Sequence, residues 1–177
     1  MRIISGKYKG RRLTPPAKLS ARPTTDMARE ALFNVLKHEV DFTDADVLDL
    51  FAGTGAISLE FISRGVKSAT AIDIEYASKK FIDTVKKDWG VNNIRAVKAD
   101  VFKVIKKINQ SFDIIFADPP YNNPQYPELP DMIFESGWMK KGGLLILEHG
   151  DEHNFESNPR FNSHRNYGDV NFSFFRD

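Results

Sequence analysis

The stretch Asp46-Val47-Leu48-Asp49-Leu50-Phe51-Ala52-Gly53-Thr54-Gly55-Ala56 decides the fold. Its first half is a short apolar run of the kind that forms a buried strand. Its second half turns on two glycines just before a helix-like segment begins. Glycine allows a tight turn and lets a ligand approach the main chain at the carboxyl edge of a sheet, where ligands of doubly wound folds bind. The dinucleotide fingerprint has a third glycine three residues after Gly55, but Ser58 stands there. Asp49 would also repel a pyrophosphate resting on the helix start. A cationic ligand suits the turn better, with Asp49 pairing an ammonium group.

Outward from this motif, further apolar runs recur at Ala69–Asp73, Ile94–Val97, Phe112–Ala117 and Gly143–Glu148, separated by helix-like segments near 56–64, 76–88, 101–108 and 130–139. Repeated strand-then-helix order predicts an α/β fold, a parallel sheet with helices on both faces. A helix is expected from about Thr25 to His38. The tail, Arg160 to Asp177, predicts two closing antiparallel strands around Tyr167-Gly168-Asp169.

With 177 residues, 41% hydrophobic and 28% charged, the chain is long enough for a full core without staples. It has no cysteine, which excludes disulfides, a thiol nucleophile and a thiolate metal site. No run reaches the ~18 apolar residues of a membrane span and no leader is expected, so a cytoplasmic protein is the default. The net charge of +1 hides an asymmetry, because residues 1–22 carry Arg2, Lys7, Lys9, Arg11, Arg12, Lys18 and Arg22 and no acidic residue. Such an arm fits contact with a polyanion, through Lys7, Lys9, Arg11 and Arg12 above all, or a solvated segment that aids solubility. Ile3-Ile4 and Arg12-Leu13 are candidate sides of a hairpin turning at Gly6 or Gly10. The expected division is an arm over 1–21 and a main domain over 22–177.

Three more groups carry chemistry. Asp73, closing the second strand, can accept two hydrogen bonds from a ribose, with Ile74 covering one face of a base. Asp100-Val101 holds the equivalent place after the third strand, where the carboxylate can meet an exocyclic amine. Each aspartate is equally suited to cap a helix. Asp118-Pro119-Pro120-Tyr121 follows the fourth strand. Its prolines stiffen the loop and hold the Asp118 carboxylate and the Pro119 carbonyl as acceptors, a pair suited to a planar amino group, while Tyr121 stacks on the attached ring.

Asp49-Leu50-Phe51-Ala52-Gly53-Thr54-Gly55 together with Asp118-Pro119-Pro120-Tyr121 resembles the S-adenosylmethionine-dependent amino-methyltransferases. Gly6-Lys7-Tyr8-Lys9-Gly10-Arg11-Arg12-Leu13 and Arg22-Pro23-Thr24-Thr25-Asp26, running on to Arg29-Glu30 and Leu32-Phe33-Asn34, resemble the RsmD-type 16S rRNA guanine-N2-methyltransferase family. The resemblance runs from end to end. It implies a Rossmann-like class I methyltransferase with a mostly parallel seven-stranded sheet, helices on both faces, an antiparallel last strand and a short basic N-terminal β-hairpin arm. It implies S-adenosyl-L-methionine as cofactor, with Asp49, Phe51, Gly53 and Gly55 at its methionine end, Asp73 at the ribose, and Asp100 with Val101 at the adenine. Asp118, Pro119, Pro120 and Tyr121 would form the target-base site, and Arg22, Thr24, Thr25 and Arg29 would border that site or RNA. The implied partner is 16S rRNA within a 30S subunit or assembly intermediate, met by a monomer without metal or membrane. Adenine N6 in DNA or RNA, or a protein glutamine amide, is the alternative acceptor for the same loop. A nicotinamide oxidoreductase and a non-catalytic RNA-binding module are disfavoured by the missing glycine and the intact acceptor loop respectively.

Overall fold

A computed structural model describes residues 1–17, 19, 24–105, 110–120 and 122–176. In chain order its elements are α1 (Asp26–Glu39), β1 (Asp46–Leu50), α2 (Ala56–Ser63), β2 (Ser68–Asp73), α3 (Tyr76–Trp89), β3 (Ile94–Lys98), α4 (Val101–Val104), β4 (Phe112–Ala117), a 3-10 turn (Tyr126–Glu128), α5 (Leu129–Glu135), β5 (Met139–His149), β6 (Phe161–Tyr167) and β7 (Val170–Arg176). The strands form one seven-stranded sheet in the order β3-β2-β1-β4-β5-β7-β6. Pairing is parallel from β3 across to β5, and β7 alone runs against both its neighbours.

Alternation of side chains across the pleat divides the core in two. Val47, Ala71, Ile114, Phe116 and Ile146 pack with α1, α2 and α3 on one face. Leu48, Ile72, Ile115, Ala117 and Leu147 pack with α4 and α5 on the other. Thr25 caps α1 by accepting the Ala28 N–H at 3.1 Å, and Asp26 in the first turn with Lys37 and His38 in the last suit the helix dipole.

Several sequence expectations change at their edges. The helix expected over 130–139 stops at Glu135, because Gly137 turns left-handed at φ +77° and Met139 already pairs with Phe112. The strand expected over 143–148 therefore begins four residues earlier, with a bulge between Phe112 and Ile114 on its neighbour. Of the helix expected over 101–108, α4 supplies Val101–Val104, and residues 106–109 lie outside the described residues. β7 is buried along nearly its whole length, because Phe172 and Phe174 pack into the core on one face of the sheet and Phe175 into the core on the other. Among the described residues no helix is long and apolar enough to cross a membrane.

The basic arm lies on the body. Arg2 and Arg12 form an antiparallel bridge, with the Ile3 N–H bonded to the Arg11 carbonyl and the Leu13 N–H to that of Met1. Ile3, Tyr8 and Leu13 are buried in the same core as α1 and α2. Every residue of α2 is buried, including Glu60 and Ser63, because this helix lies between sheet and arm. Its polar groups serve the arm: Glu60 accepts the Ile4 and Ser5 N–H groups, and the Tyr8 N–H reaches the Ser63 hydroxyl at 2.9 Å. Gly6, at φ +82°, passes so close to the Ser63 carbonyl that a methyl group would not fit.

Candidate active site

The parallel strands end along one edge, and the sheet order sets their acidic residues side by side: Asp100 just past β3, Asp73 on β2, Asp49 on β1, Asp118 just past β4 and Glu148 on β5. The pleat puts Asp49, Asp73, Asp118 and Glu148 on the face covered by α1, α2 and α3. There, Thr24, Asp49, Phe51, Ala52, Gly53, Thr54, Ala56, Ile57, Phe116 and Asp118 line a narrow cleft.

The turn between β1 and α2 is pinned on every side. Phe51, Gly53 and Gly55 all take positive φ, at +62°, +52° and +71°. For Phe51 that conformation is costly and persists only because its surroundings impose it, including ring contact with Phe102 at 5.7 Å. A Cβ on Gly55 would meet Ile82 at 2.7 Å. The Gly53 N–H bonds to Asp73 Oδ2 at 2.8 Å, and its carbonyl accepts a hydrogen bond from the Ser78 hydroxyl. Asp73 Oδ1 accepts the Glu75 N–H at 2.8 Å, leaving further lone pairs on both oxygens for hydroxyl donors.

Asp49 is buried and accepts two hydrogen bonds on Oδ2 from Ser58, from the N–H at 3.0 Å and from the hydroxyl at 2.5 Å. Burial pushes its carboxyl up to about 7, against the pull of those two donors. Asp118 is pushed well above the carboxylate range, first by burial and then by the neighbouring Glu148 and Asp49. Asp49 and Asp118 thus hold their protons to higher pH than ordinary carboxylates do. Pro119 is buried and Pro120 exposed, and the Pro120 carbonyl accepts the Asn123 N–H at 3.0 Å, which ties down the loop beyond the acceptor pair.

The other expected residues divide. Ile74 is 58% exposed beside Asp73, and Tyr76, at the start of α3, is 61% exposed, so an apolar shelf stands open next to the Asp73 carboxylate. Asp100 caps α4 by accepting the Phe102 N–H at 3.1 Å and pairs with Lys103, while Val101 is buried in the core. Thr24 lines the cleft and donates to Glu148 Oε2 at 2.8 Å, and Thr25 is the α1 cap. Lys7, Lys9, Arg11 and Arg12 are exposed, with the Arg11 guanidinium 5.2 Å from the Tyr8 ring centroid and 5.3 Å from that of Trp89. Arg29 is a correction. It is wholly buried, and one terminal nitrogen donates to Asp26 and to the Arg2 carbonyl, which fastens the arm to α1, while its Nε and other terminal nitrogen have no hydrogen-bond partner among the described residues; buried so, it presents no face to RNA. Arg22 and Tyr121 lie outside the described residues.

Sequence reading passed over Glu148, Ser58 and Ser78. Glu148 has the same signal as Asp118, a carboxylate closing an apolar strand. Nothing local marks the two serines, since their partners lie 9 and 25 residues away.

Sheet order, glycine turn and acidic edge define a Rossmann-like class I methyltransferase, a class whose cofactor is S-adenosylmethionine. The donor set fits that molecule, because two carboxylates and, among the described residues, no cationic side chain line the cleft, which suits a sulfonium and an ammonium group. A hypothetical protein of Thermus thermophilus has the same fold, with a TM-score of 0.86 and 28% identity over 100% of this chain and 99% of that one. The 16S rRNA N2 G1207 methyltransferase RsmC of Thermus thermophilus, solved with AdoMet and guanosine, shares the fold at a TM-score of 0.70 and 18% identity, over 89% of this chain and 45% of that one. The model of the family described as Conserved hypothetical protein 95 matches residues 1–176. Ribosomal RNA small subunit methyltransferase D is 33% identical over 148 residues in both Buchnera aphidicola subsp. Baizongia pistaciae and Escherichia coli K12, covering 84% of this chain and 75% and 74% of the relatives. The chain belongs to this RsmD family of methyltransferases.

Proposed function

We propose that the protein transfers a methyl group from S-adenosylmethionine to the exocyclic N2 amine of a guanine in small-subunit ribosomal RNA. The observation that carries this reading is the Asp118-Pro119 acceptor pair at the end of β4, with Asp118 opening into the same cleft as the glycine turn. The rRNA substrate class is drawn from the named relatives.

In this reading Asp49 and the turn through Gly53 and Gly55 hold the methionine end, Asp73 accepts the ribose hydroxyls, and Ile74 covers the adenine. Asp100 and Val101 shape the far end of that pocket through the start of α4. Bound there, the cofactor supplies an electrophilic methyl group. Guanine N2 is a weak nucleophile because its lone pair is delocalised into the ring. Asp118 and the Pro119 carbonyl accept its two hydrogens, draw the lone pair out of conjugation and point it along the line of displacement. As the N–C bond forms and the S–C bond breaks, positive charge develops on nitrogen, and acceptors already aimed at its hydrogens bind that state better than the ground state. The surplus proton passes to Asp118, whose raised affinity for protons suits it to the transfer, or to water. A base must leave its stack to reach this edge, and Tyr121 in the stiff loop offers a stacking surface worth about 1–3 kcal/mol. Lys7, Lys9, Arg11 and Arg12 supply phosphate contacts from the arm, with Thr24 on the cleft wall and Arg22 and Thr25 as further RNA-contact candidates.

The test is methyl transfer from labelled S-adenosylmethionine to small-subunit particles from cells lacking the modification, followed by nucleoside analysis. Label in N2-methylguanosine is expected. Label in N6-methyladenosine would keep the chemistry and overturn the base.

A further inference from the structure

We propose that a pocket under the loop joining β5 to β6 seats an arginine side chain of a basic protein carried by the RNA substrate. The inference goes beyond methyl transfer and takes from that reading only the particle on which such a protein would be met. Three of the chain's four histidines, His149, His153 and His164, line the pocket with Asp151, Phe155, Glu156 and Phe161. His149 lies opposite Asn171 and His164 opposite Ser173, so the sheet wall of the pocket is the face of Leu145 and Leu147, away from the catalytic cleft. Both openings nevertheless lie at the carboxyl edge, the cleft beside β1 and β4 and the pocket beyond β5. Tyr126, in the 3-10 turn that follows the proline loop, stacks on the His153 ring at 4.2 Å and so joins the two regions.

The polar groups of the wall are set by one another. His149 Nδ1 lies 2.8 Å from the Gly150 carbonyl and must carry the hydrogen, which leaves Nε2 to accept from the Ser173 hydroxyl at 2.8 Å. Asn171 donates its amide to Asp151 Oδ1 at 2.7 Å, so its own oxygen faces His164 Nε2 at 2.9 Å as an acceptor. His164 therefore carries its hydrogen on Nε2, and in the neutral ring Nδ1 keeps a lone pair. What is left for a visitor is that lone pair, the second oxygen of Asp151 and the whole carboxylate of Glu156, which meets no cation among the described residues. His153 Nε2 is buried without a hydrogen-bond partner, its nearest charged neighbour being Glu152 Oε1 at 3.8 Å. Asn154 alone adds an amide donor.

A surplus of acceptors between two carboxylates, walled by Phe155, Phe161 and His164 rings, fits one side chain in particular. Guanidinium is planar, carries five donors and no acceptor, pairs with carboxylates in its plane and lays its faces on aromatic rings. Lysine brings the charge but not the plane. Phosphates would meet Asp151 and Glu156 as like charges, and a nucleobase would set its own acceptors against theirs. Among the described residues no group of histidines and acids is placed to hold a metal ion.

The first arm of the test follows the histidine ring signals by NMR while a blocked Gly-Arg-Gly peptide is added to the whole protein, with blocked Gly-Lys-Gly as the comparison. His153 and His164 are expected to shift at millimolar arginine peptide, with at least about threefold weaker response to lysine, and His38 in the last turn of α1 should stay still. Glu156→Gln should weaken the arginine response about three- to tenfold without moving the unfolding midpoint, because the side chain has no partner in the fold to lose. The second arm measures affinity for small-subunit particles and for the same RNA stripped of protein. Glu156→Gln is expected to weaken the particle complex about three- to tenfold and to leave the complex with bare RNA, and affinity for S-adenosylmethionine, unchanged. Still histidine signals, or equal responses to arginine and lysine, would overturn the proposal. An equal loss on bare RNA would also overturn it and assign the pocket to RNA. Absence of methyl transfer to any small-subunit RNA would remove the proposed function, while the peptide arm would still decide what the pocket holds.

Discussion

Ser58 donates both its backbone N–H and its hydroxyl to a single oxygen of Asp49, at 3.0 and 2.5 Å. The residue that stands in place of a third glycine thus orients the acid at the head of the glycine turn and leaves its other oxygen for a ligand. A dinucleotide fold needs a bare backbone at this point, whereas a site for a cationic ligand gains from a fixed carboxylate.

Because burial pushes Asp49 up to about 7, binding of a cationic cofactor should expel a proton. Affinity for S-adenosylmethionine is expected to rise up to tenfold per pH unit below about 7 and to level off above it. Calorimetry in buffers of different ionisation enthalpy measures the proton released. Asp49→Asn should lower affinity at pH 8 by about 10- to 100-fold and lose this share of the pH dependence. Its stability should move the other way. A carboxyl whose affinity for protons is higher folded than unfolded costs stability as pH rises from about 4 toward 7, and the Asn variant should lack that slope.

Asp118→Ala should lower kcat by about 100-fold or more while the dissociation constant for S-adenosylmethionine changes less than about threefold. Single-turnover rates with saturating cofactor separate the two. Because Asp118 holds a proton to higher pH than an ordinary carboxylate, kcat should climb with pH beyond the range where ordinary carboxylates ionise and flatten once the group is ionised.

Gly55→Ala should destabilise more than Gly90→Ala, although the two backbones are almost equally left-handed, at φ +71° and +66°. An added Cβ at 55 meets Ile82 at 2.7 Å, while at 90 nothing lies within 4 Å. Denaturant midpoints should show a loss of about 1 kcal/mol at 90 and about 2–4 kcal/mol at 55.

The arm is tested by charge rather than by truncation, since its removal would uncover α2. Changing Lys7, Lys9, Arg11 and Arg12 to Gln should leave the unfolding midpoint within about 0.5 kcal/mol and cut the slope of log affinity against log salt by about 3. An unchanged slope would show that phosphates are met elsewhere. Glu60→Ala, by contrast, removes the acceptor of the Ile4 and Ser5 N–H groups and the partner of Arg64, and should cost about 2–4 kcal/mol.

What could be read from the sequence was what is fixed locally. The glycine turn, the proline loop, the Thr25 cap and the alternation of apolar runs with helices each depend on residues within one turn or strand, and each gave its element nearly in place. Longer-range relations left no such trace. The arm was legible as a cluster of charge, but its seat on Glu60 and Ser63 depends on partners more than fifty positions away. Arg29 was expected through the family resemblance to border the active site or RNA, and no local pattern reveals that the arm closes over it. Glu148 was counted as the end of a strand, and only the register of β4 against β5 brings it beside Asp118.

The docking of residues 3–8 against residues 60–63 also sets an order of events during synthesis. The arm leaves the ribosome well before it can find its place, because the surface that receives it does not exist until α2 has been made. That surface lies over β1, and β1 in turn pairs with β4 at residues 114–117. Until α2 has been made, the nascent chain carries a cationic segment whose backbone donors have none of the acceptors that hold them in the finished fold.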